Sequence, residues 1–136
     1  MSQILIDSGA FLAMLDARDK YHPRAQEFLS NNQDATFLIT TAIFAETMTL
    51  IKARLGAKPA IMLGERIFIS TMFQLASLPE NEQQIIWTIF KRYDDKDWSY
   101  ADCSILAAAQ HLQISSVFSF DHHIDQMSEL RRVPIF

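Results

Sequence analysis

Short apolar runs alternate along the chain with longer segments in which apolar side chains recur at helical spacing. Gln3–Ile6, Phe37–Ile39, Phe73–Ser77 and Ser116–Phe120 are each typical of a β-strand, and Val133–Phe136 predicts a last edge strand. Helical segments separate these runs. We therefore expect a mostly parallel sheet covered by helices, that is, a three-layer α/β/α sandwich.

Turn and capping residues mark the ends of the predicted helices. Thr40 or Thr41 suits the start of the third helix and Gly56 its end. Ser99 and Asp102 are spaced like a capping box at the start of the last one. The predicted helices cover about residues 11–15, 23–31, 41–55, 60–71, 80–92 and 99–112.

Composition indicates a globular protein of one domain spanning residues 1–136. Hydrophobic residues make up 49% of the chain and charged residues 21%, which supports a continuous core. Cys103 is the only cysteine, so an intramolecular disulfide is excluded. Without a signal-like leader or an apolar run of roughly 18 residues, we expect a cytoplasmic protein.

The net charge of −4 argues against broad electrostatic attachment to nucleic acid, which depends on Lys and Arg meeting phosphates. A nucleic-acid enzyme with this charge must recruit its substrate locally, through bound metal or a small basic patch. The candidate phosphate contacts lie near the first helix and after the third: Arg18, Lys20, Arg24, Lys52, Arg54 and Lys58.

Four acids occupy element ends that share one edge in a parallel sheet. Asp7 and Asp121 each follow a predicted strand, whereas Glu46 and Asp102 lie in the first turns of predicted helices. Two carboxylates about 5 Å apart repel by roughly 3 kcal/mol at an effective dielectric near 20. A divalent cation relieves such repulsion, and oxygen ligands suit Mg²⁺ or Mn²⁺.

Four motifs resemble those of PIN domains, in the same order and over nearly the whole chain. IDSGAFLA at residues 6–13 is similar to the opening motif, and TAIFAE at 41–46 fits the segment with the helical glutamate. DWSYADC at 97–103 is similar to the central acidic motif, and SFDHHI at 119–124 to the late motif. Within the family, the chain resembles the toxins of the VapC type.

The resemblance implies an endoribonuclease that depends on Mg²⁺ or Mn²⁺, acts on RNA, is inhibited by a small antitoxin protein and forms a homodimer. Ser119 stands where threonine is more usual in the family, and residues 126–133 lack the glycine often found there. By motif matching, the catalytic and metal-binding acids are Asp7, Glu46, Asp102 and Asp121, with Ser8 and Ser119 orienting carboxylates or water.

Each site residue also has a purely structural interpretation. Asp7 could cap a helix, Asp102 could complete a capping box, and Asp121 could be a turn acid. Glu46, flanked by apolar residues, is harder to explain this way. His122 and His123 are interpreted together as surface or substrate-side groups.

Two other functions remain open from the sequence. One is a non-catalytic PIN-like module that binds RNA or a protein, against which the complete acidic set argues. The other is a receiver-like phosphoacceptor domain, which the missing acidic pair at the first strand disfavours. We expect Leu15, Phe68, Trp87 and Phe90 to be core residues, although surplus apolar side chains on helices could form a dimer face.

Overall fold

The computed structural model describes residues 2–135, and within them short strands alternate with helices. The strands are β1 (Gln3–Ile6), β2 (Thr36–Ile39), β3 (Phe73–Leu75), β4 (Ser116–Phe118) and β5 (Arg131–Val133). The helices are α1 (Ser8–Leu15), α2 (His22–Ser30), α3 (Thr41–Leu55), α4 (Ala57–Ile69), α5 (Glu82–Arg92) and α6 (Tyr100–Leu112), and a 3-10 helix spans His122–Gln126.

All strand pairs of the sheet are parallel, and the strand order is β3-β2-β1-β4-β5. In the central pairings Leu5 lies opposite Leu38 on one side and Val117 on the other. The carboxyl ends of β1 and β4 are therefore neighbours at one edge of the sheet. The predicted three-layer α/β/α architecture with a parallel sheet is confirmed.

The central strands are buried on both faces, which explains their continuous apolar sequence. Every residue of β2 is buried, and in β1 only the first is exposed. Aromatic rings pack on one face of the sheet. Phe28 of α2 lies 4.7 Å from Phe118 and 6.3 Å from Phe37, measured between ring centroids, and Phe11 of α1 lies 5.6 Å from Phe73.

Helix α6 is the most deeply buried helix segment of the described chain, with every residue from Ala101 to Ala109 buried. The small side chains of α6 allow this burial, because they let α3 and α5 pack closely against the helix. The Thr40 and Ser104 hydroxyls share a hydrogen bond of 2.8 Å between α3 and α6. The first turn of α6, which carries Asp102, is thus held inside the protein.

The structure corrects several boundaries. β4 ends at Phe118 rather than at residue 120, and β5 spans Arg131–Val133 instead of 133–136, whose last residue lies outside the described part. Apolar runs do not reveal where pairing stops, because pairing depends on the neighbouring strand. The expected core residues Leu15, Phe68, Trp87 and Phe90 are exposed, since their helices present these side chains to solvent.

Among residues 2–135, every helix is too short or too polar to span a lipid bilayer.

Gly56 joins α3 to α4. Its φ of 107° and ψ of 169° form a backbone conformation that residues with a side chain rarely adopt. We expect Gly56→Ala to lower the free energy of unfolding by about 1–3 kcal/mol, because this region is nearly restricted to glycine. Gly9 in α1 is the matched control, since a Cβ there meets nothing within 4 Å. Gly9→Ala should be neutral or stabilising by up to about 1 kcal/mol. Urea unfolding of both variants tests this, and equal effects would refute it.

Candidate active site

The site lies at the edge of the sheet where β1 and β4 end. The Asp7 backbone N–H donates to the Phe118 carbonyl over 3.1 Å, which fixes the end of β1 against the end of β4. Asp7 then begins α1, because its Oδ1 accepts a hydrogen bond of 2.7 Å from the backbone N–H of Ser8. The carboxylate is 4% exposed, so the helix cap is also a buried acid.

Ser119 connects the two strand ends through its hydroxyl. Its Oγ donates to Asp7 Oδ2 over 3.0 Å and accepts from the backbone N–H of Asp121 over 3.0 Å. Ser119 is completely buried, so water does not compete for these bonds. The hydroxyl thus orients one carboxylate and positions the backbone of the second acid.

Ser8 performs a similar task between α1 and α3. Its backbone N–H donates to Asp7, and its hydroxyl donates to Glu46 Oε1. Glu46 is half-buried, which fits a glutamate that points into a polar site although many of its neighbours on α3 are apolar. One residue therefore holds carboxylates from two different elements.

Asp102 is positioned by the capping box at the start of α6. Its Oδ2 accepts from the Ser99 backbone N–H over 2.9 Å, and its own N–H donates to Ser99 Oγ over 2.9 Å. The side chain is buried. The predicted capping box is confirmed, with Asp in place of the usual Glu or Gln.

His123 lies between two of the acids. Its Nδ1 is 3.3 Å from Asp102 Oδ2 and 3.6 Å from Asp121 Oδ1. Asp121 caps the 3-10 helix by accepting from the His123 backbone N–H over 2.8 Å, which turns the imidazole back towards the acids. Ligand atoms of Asp102, Asp121 and His123 all lie within 4.8 Å of one another, close enough to hold one metal ion.

The four predicted acids thus belong to one hydrogen-bonded network, which also contains Ser8, Ser119 and His123. Their metal-binding and catalytic roles stay predictions at this point. The interpretation of both histidines as surface or substrate-side groups fits the exposed His122, and His123 in addition joins the carboxylate cluster. The position of His123 two residues after a capping Asp is a local signal for this turn.

Burial raises the pKa of Asp7 to about 7, and the negative charge of Asp102 adds to the effect. The charge of Asp121 acts in the same direction, whereas the hydrogen bonds from Ser8 and Ser119 oppose the rise. Near neutral pH the site therefore favours either a proton on Asp7 or a nearby cation. Burial, reinforced by Asp102, also raises the pKa of the Cys103 thiol, which disfavours a thiolate ligand.

The PIN domain family model matches residues 4–130, and the chain belongs to this family.

Among characterised relatives, the chain is 22% identical over 118 residues to the 23S rRNA-specific endonuclease VapC20 of Mycobacterium tuberculosis, covering 87% of this chain and 88% of the relative. The crystal structure of VapC20, a Sarcin-Ricin loop cleaving toxin, has a TM-score of 0.82 at 20% identity, covering 91% of this chain and 94% of that one. A toxin-antitoxin complex from Klebsiella pneumoniae has a TM-score of 0.61 at 15% identity, covering 88% and 87%. These structural likenesses show the fold.

We expect the metal-free protein to lose stability as the pH rises. The pKa of Asp7 is about 7 in the folded state and near 3.8 in the unfolded state, so the folded state binds more protons between these values. The contribution, at most about 4 kcal/mol, is complete below pH 4 and lost above pH 7.

Urea unfolding in chelator from pH 5 to pH 8 measures this dependence. The Asp7→Asn variant has no ionisable side chain at this position, so it should gain stability relative to wild type as the pH rises. Parallel curves for the two proteins would contradict the assignment. Asp34→Asn, which changes an exposed acid, serves as the control and should follow wild type.

Proposed function

We propose that the protein is a divalent-metal-dependent endoribonuclease that hydrolyses RNA phosphodiester bonds, and that it is the toxin of a toxin–antitoxin pair. One observation carries the proposal. In a chain of the PIN family, carboxylates from four remote segments share one hydrogen-bonded network at the carboxyl edge of a parallel sheet. This edge is where α/β sheets bind their ligands.

The residues at this edge fit a divalent cation. Asp102, Asp121 and His123 offer ligand atoms within 4.8 Å of one another. Burial and, after it, the charges of Asp102 and Asp121 raise the pKa of Asp7, and a cation would offset that charge. Carboxylate oxygens outnumber the single imidazole, which favours Mg²⁺ or Mn²⁺. When bound, such an ion polarises a phosphoryl oxygen and lowers the pKa of a water ligand.

The protein's own groups then have distinct tasks. In our proposal Asp7, Glu46, Asp102 and Asp121 hold the metal and balance its charge. Ser8 and Ser119 keep the carboxylates in one orientation, because each hydroxyl is already committed to a partner. Such supporting hydrogen bonds raise the precision and affinity of metal sites.

The expected partners are RNA and a small antitoxin protein. VapC20 is a 23S rRNA-specific endonuclease and a toxin, and the Klebsiella relative of this fold is part of a toxin-antitoxin complex. Ribosomal RNA is therefore the first substrate to examine. The predicted homodimer also remains a proposal. It is supported by four exposed apolar side chains of α4, namely Ile61, Met62, Phe68 and Ile69.

We expect purified protein to cleave a panel of RNAs, including ribosomal RNA, with Mg²⁺ or Mn²⁺ and not with chelator. Asp102→Asn should reduce the rate by at least about a hundredfold, since losing even an outer partner of a metal ligand costs 10- to 100-fold. Asp34→Asn is the control, because this acid is exposed.

Thermal melting provides a readout that does not need the substrate. Mn²⁺ should raise the melting temperature of wild type by binding the folded state, and should do so much less for Asp102→Asn. Undiminished RNA cleavage by folded Asp102→Asn would overturn the site assignment. Metal-independent RNA binding without cleavage by wild type would instead support a non-catalytic module.

Expression in a bacterial host tests the toxin role. We expect wild type to arrest growth, because cleavage of essential RNA stops protein synthesis, and Asp102→Asn to be harmless at an equal protein level. Co-expression of the product of the neighbouring gene should restore growth, with the two proteins co-purifying. Equal growth arrest by wild type and Asp102→Asn would contradict a role that depends on cleavage.

A further inference from the structure

We propose that an aromatic cleft beside the carboxylate network is a subsite for one unpaired nucleobase of the RNA, an inference that rests on the proposed function. The cleft has a volume of about 680 Å³, within the range of small-molecule sites. It is lined by Trp87, Phe90, Lys91, Tyr93, Lys96 and Trp98, together with two aspartates. None of these residues takes part in the carboxylate network described above.

The cleft is connected to two of the segments that carry site residues, α6 and the 3-10 helix. It is formed by the end of α5 and by the loop that leads into α6, and Asp102 stands in the first turn of α6. Trp98 Nε1 donates to Gln126 Oε1 over 2.8 Å, which attaches the cleft to the 3-10 helix carrying His123. A strand of RNA placed across the acids would therefore pass the cleft.

Two aromatic rings are available for stacking. Trp87 is 51% exposed and Phe90 38% exposed, and their centroids are 5.8 Å apart at an interplanar angle of 28°. The edge of Tyr100 supports Phe90 at 5.7 Å, and Trp98, only 6% exposed, packs against Tyr93 at 4.6 Å. Exposed rings on a rigid base are what sequence-tolerant binding of single strands uses.

Charges around the rings favour a nucleotide over an apolar peptide. Lys91 and Lys96 place ammonium groups at the cleft, where each can donate to a phosphate next to a stacked base. Lys96 also pairs with Asp95 over 3.7 Å, which makes Lys91 the stronger candidate for a phosphate contact. Asp94 and Asp97 also line it and can accept hydrogen bonds from amino groups of a base. Adenine, guanine and cytosine carry such an amino group, whereas the only base N–H of uracil is N3–H, so the cleft should bind uracil more weakly.

Steady-state cleavage of short single-stranded RNAs tests the subsite. Trp87→Ala should lower kcat/KM by about tenfold or more, mostly through KM, because stacking on one ring is lost. Trp87→Phe should recover most of the loss. Leu75→Ala is the matched control, since Leu75 is a large apolar residue that is 41% exposed on β3, outside the cleft. Equal kcat/KM for Trp87→Ala and wild type would overturn the proposal.

Tryptophan fluorescence measured in the presence of chelator tests RNA binding to this cleft separately from cleavage. The chain has two tryptophans, of which only Trp87 is exposed. Unstructured adenine- and cytosine-rich RNAs should quench its emission at lower concentration than oligouridine does, and Trp87→Phe should abolish the quenching. If wild type cleaves no RNA, the proposed function fails, while quenching still decides whether the cleft binds bases.

Two results, one from this assay and one from gel shift combined with co-purification, would overturn the subsite. The first is absence of any quenching by single-stranded RNA. The second is a Trp87→Ala variant that keeps its RNA affinity but no longer binds a co-expressed partner protein. That outcome would identify the cleft as a protein-binding surface.

Discussion

Repulsion between buried carboxylates is the constraint around which this site is arranged. Asp7 is almost excluded from water, and the charges of Asp102 and Asp121 add to the burial that raises its pKa. Hydrogen bonds from Ser8 and Ser119 offset only part of this cost. The fold holds these acids close together, and a bound cation would offset their charge. This requirement links the electrostatics of the site to the proposed metal-dependent chemistry.

Helix capping orients three of the acidic side chains. Asp7 begins α1, Asp102 completes the capping box of α6, and Asp121 begins the 3-10 helix. In each case a backbone N–H holds one carboxylate oxygen and thereby fixes the side-chain torsions. The structural and functional interpretations of these residues are therefore compatible, because the hydrogen bonds that start the helices also set the geometry of the site.

The exposed aromatic residues of α5 are a second feature of the structure that core packing does not explain. Trp87 and Phe90 have the apolar character of interior residues, yet α5 presents them to solvent beside the acids. Exposed tryptophan surface gains nothing in folding. Stacking on an RNA base is an economical explanation, since it uses the same ring faces that the core leaves uncovered.

Local sequence patterns were enough to predict the order of strands and helices, the cap at Ser99 and the acids placed near element ends. These features depend on residues a few positions apart, whose spacing and hydrogen-bonding groups can be identified along the chain. The parallel sheet predicted from this order also placed the acids at one edge, and the resemblance to PIN domains added the family, which the family model confirms.

Four features could not be predicted from local patterns: the strand order, the ends of β4 and β5, the entry of His123 into the network and the exposure of Trp87. Each depends on which segments pack together. The bond between Ser119 and Asp7, for example, joins residues 112 positions apart. Local patterns fix what each segment becomes, whereas pairing and burial between remote segments fix what each side chain meets.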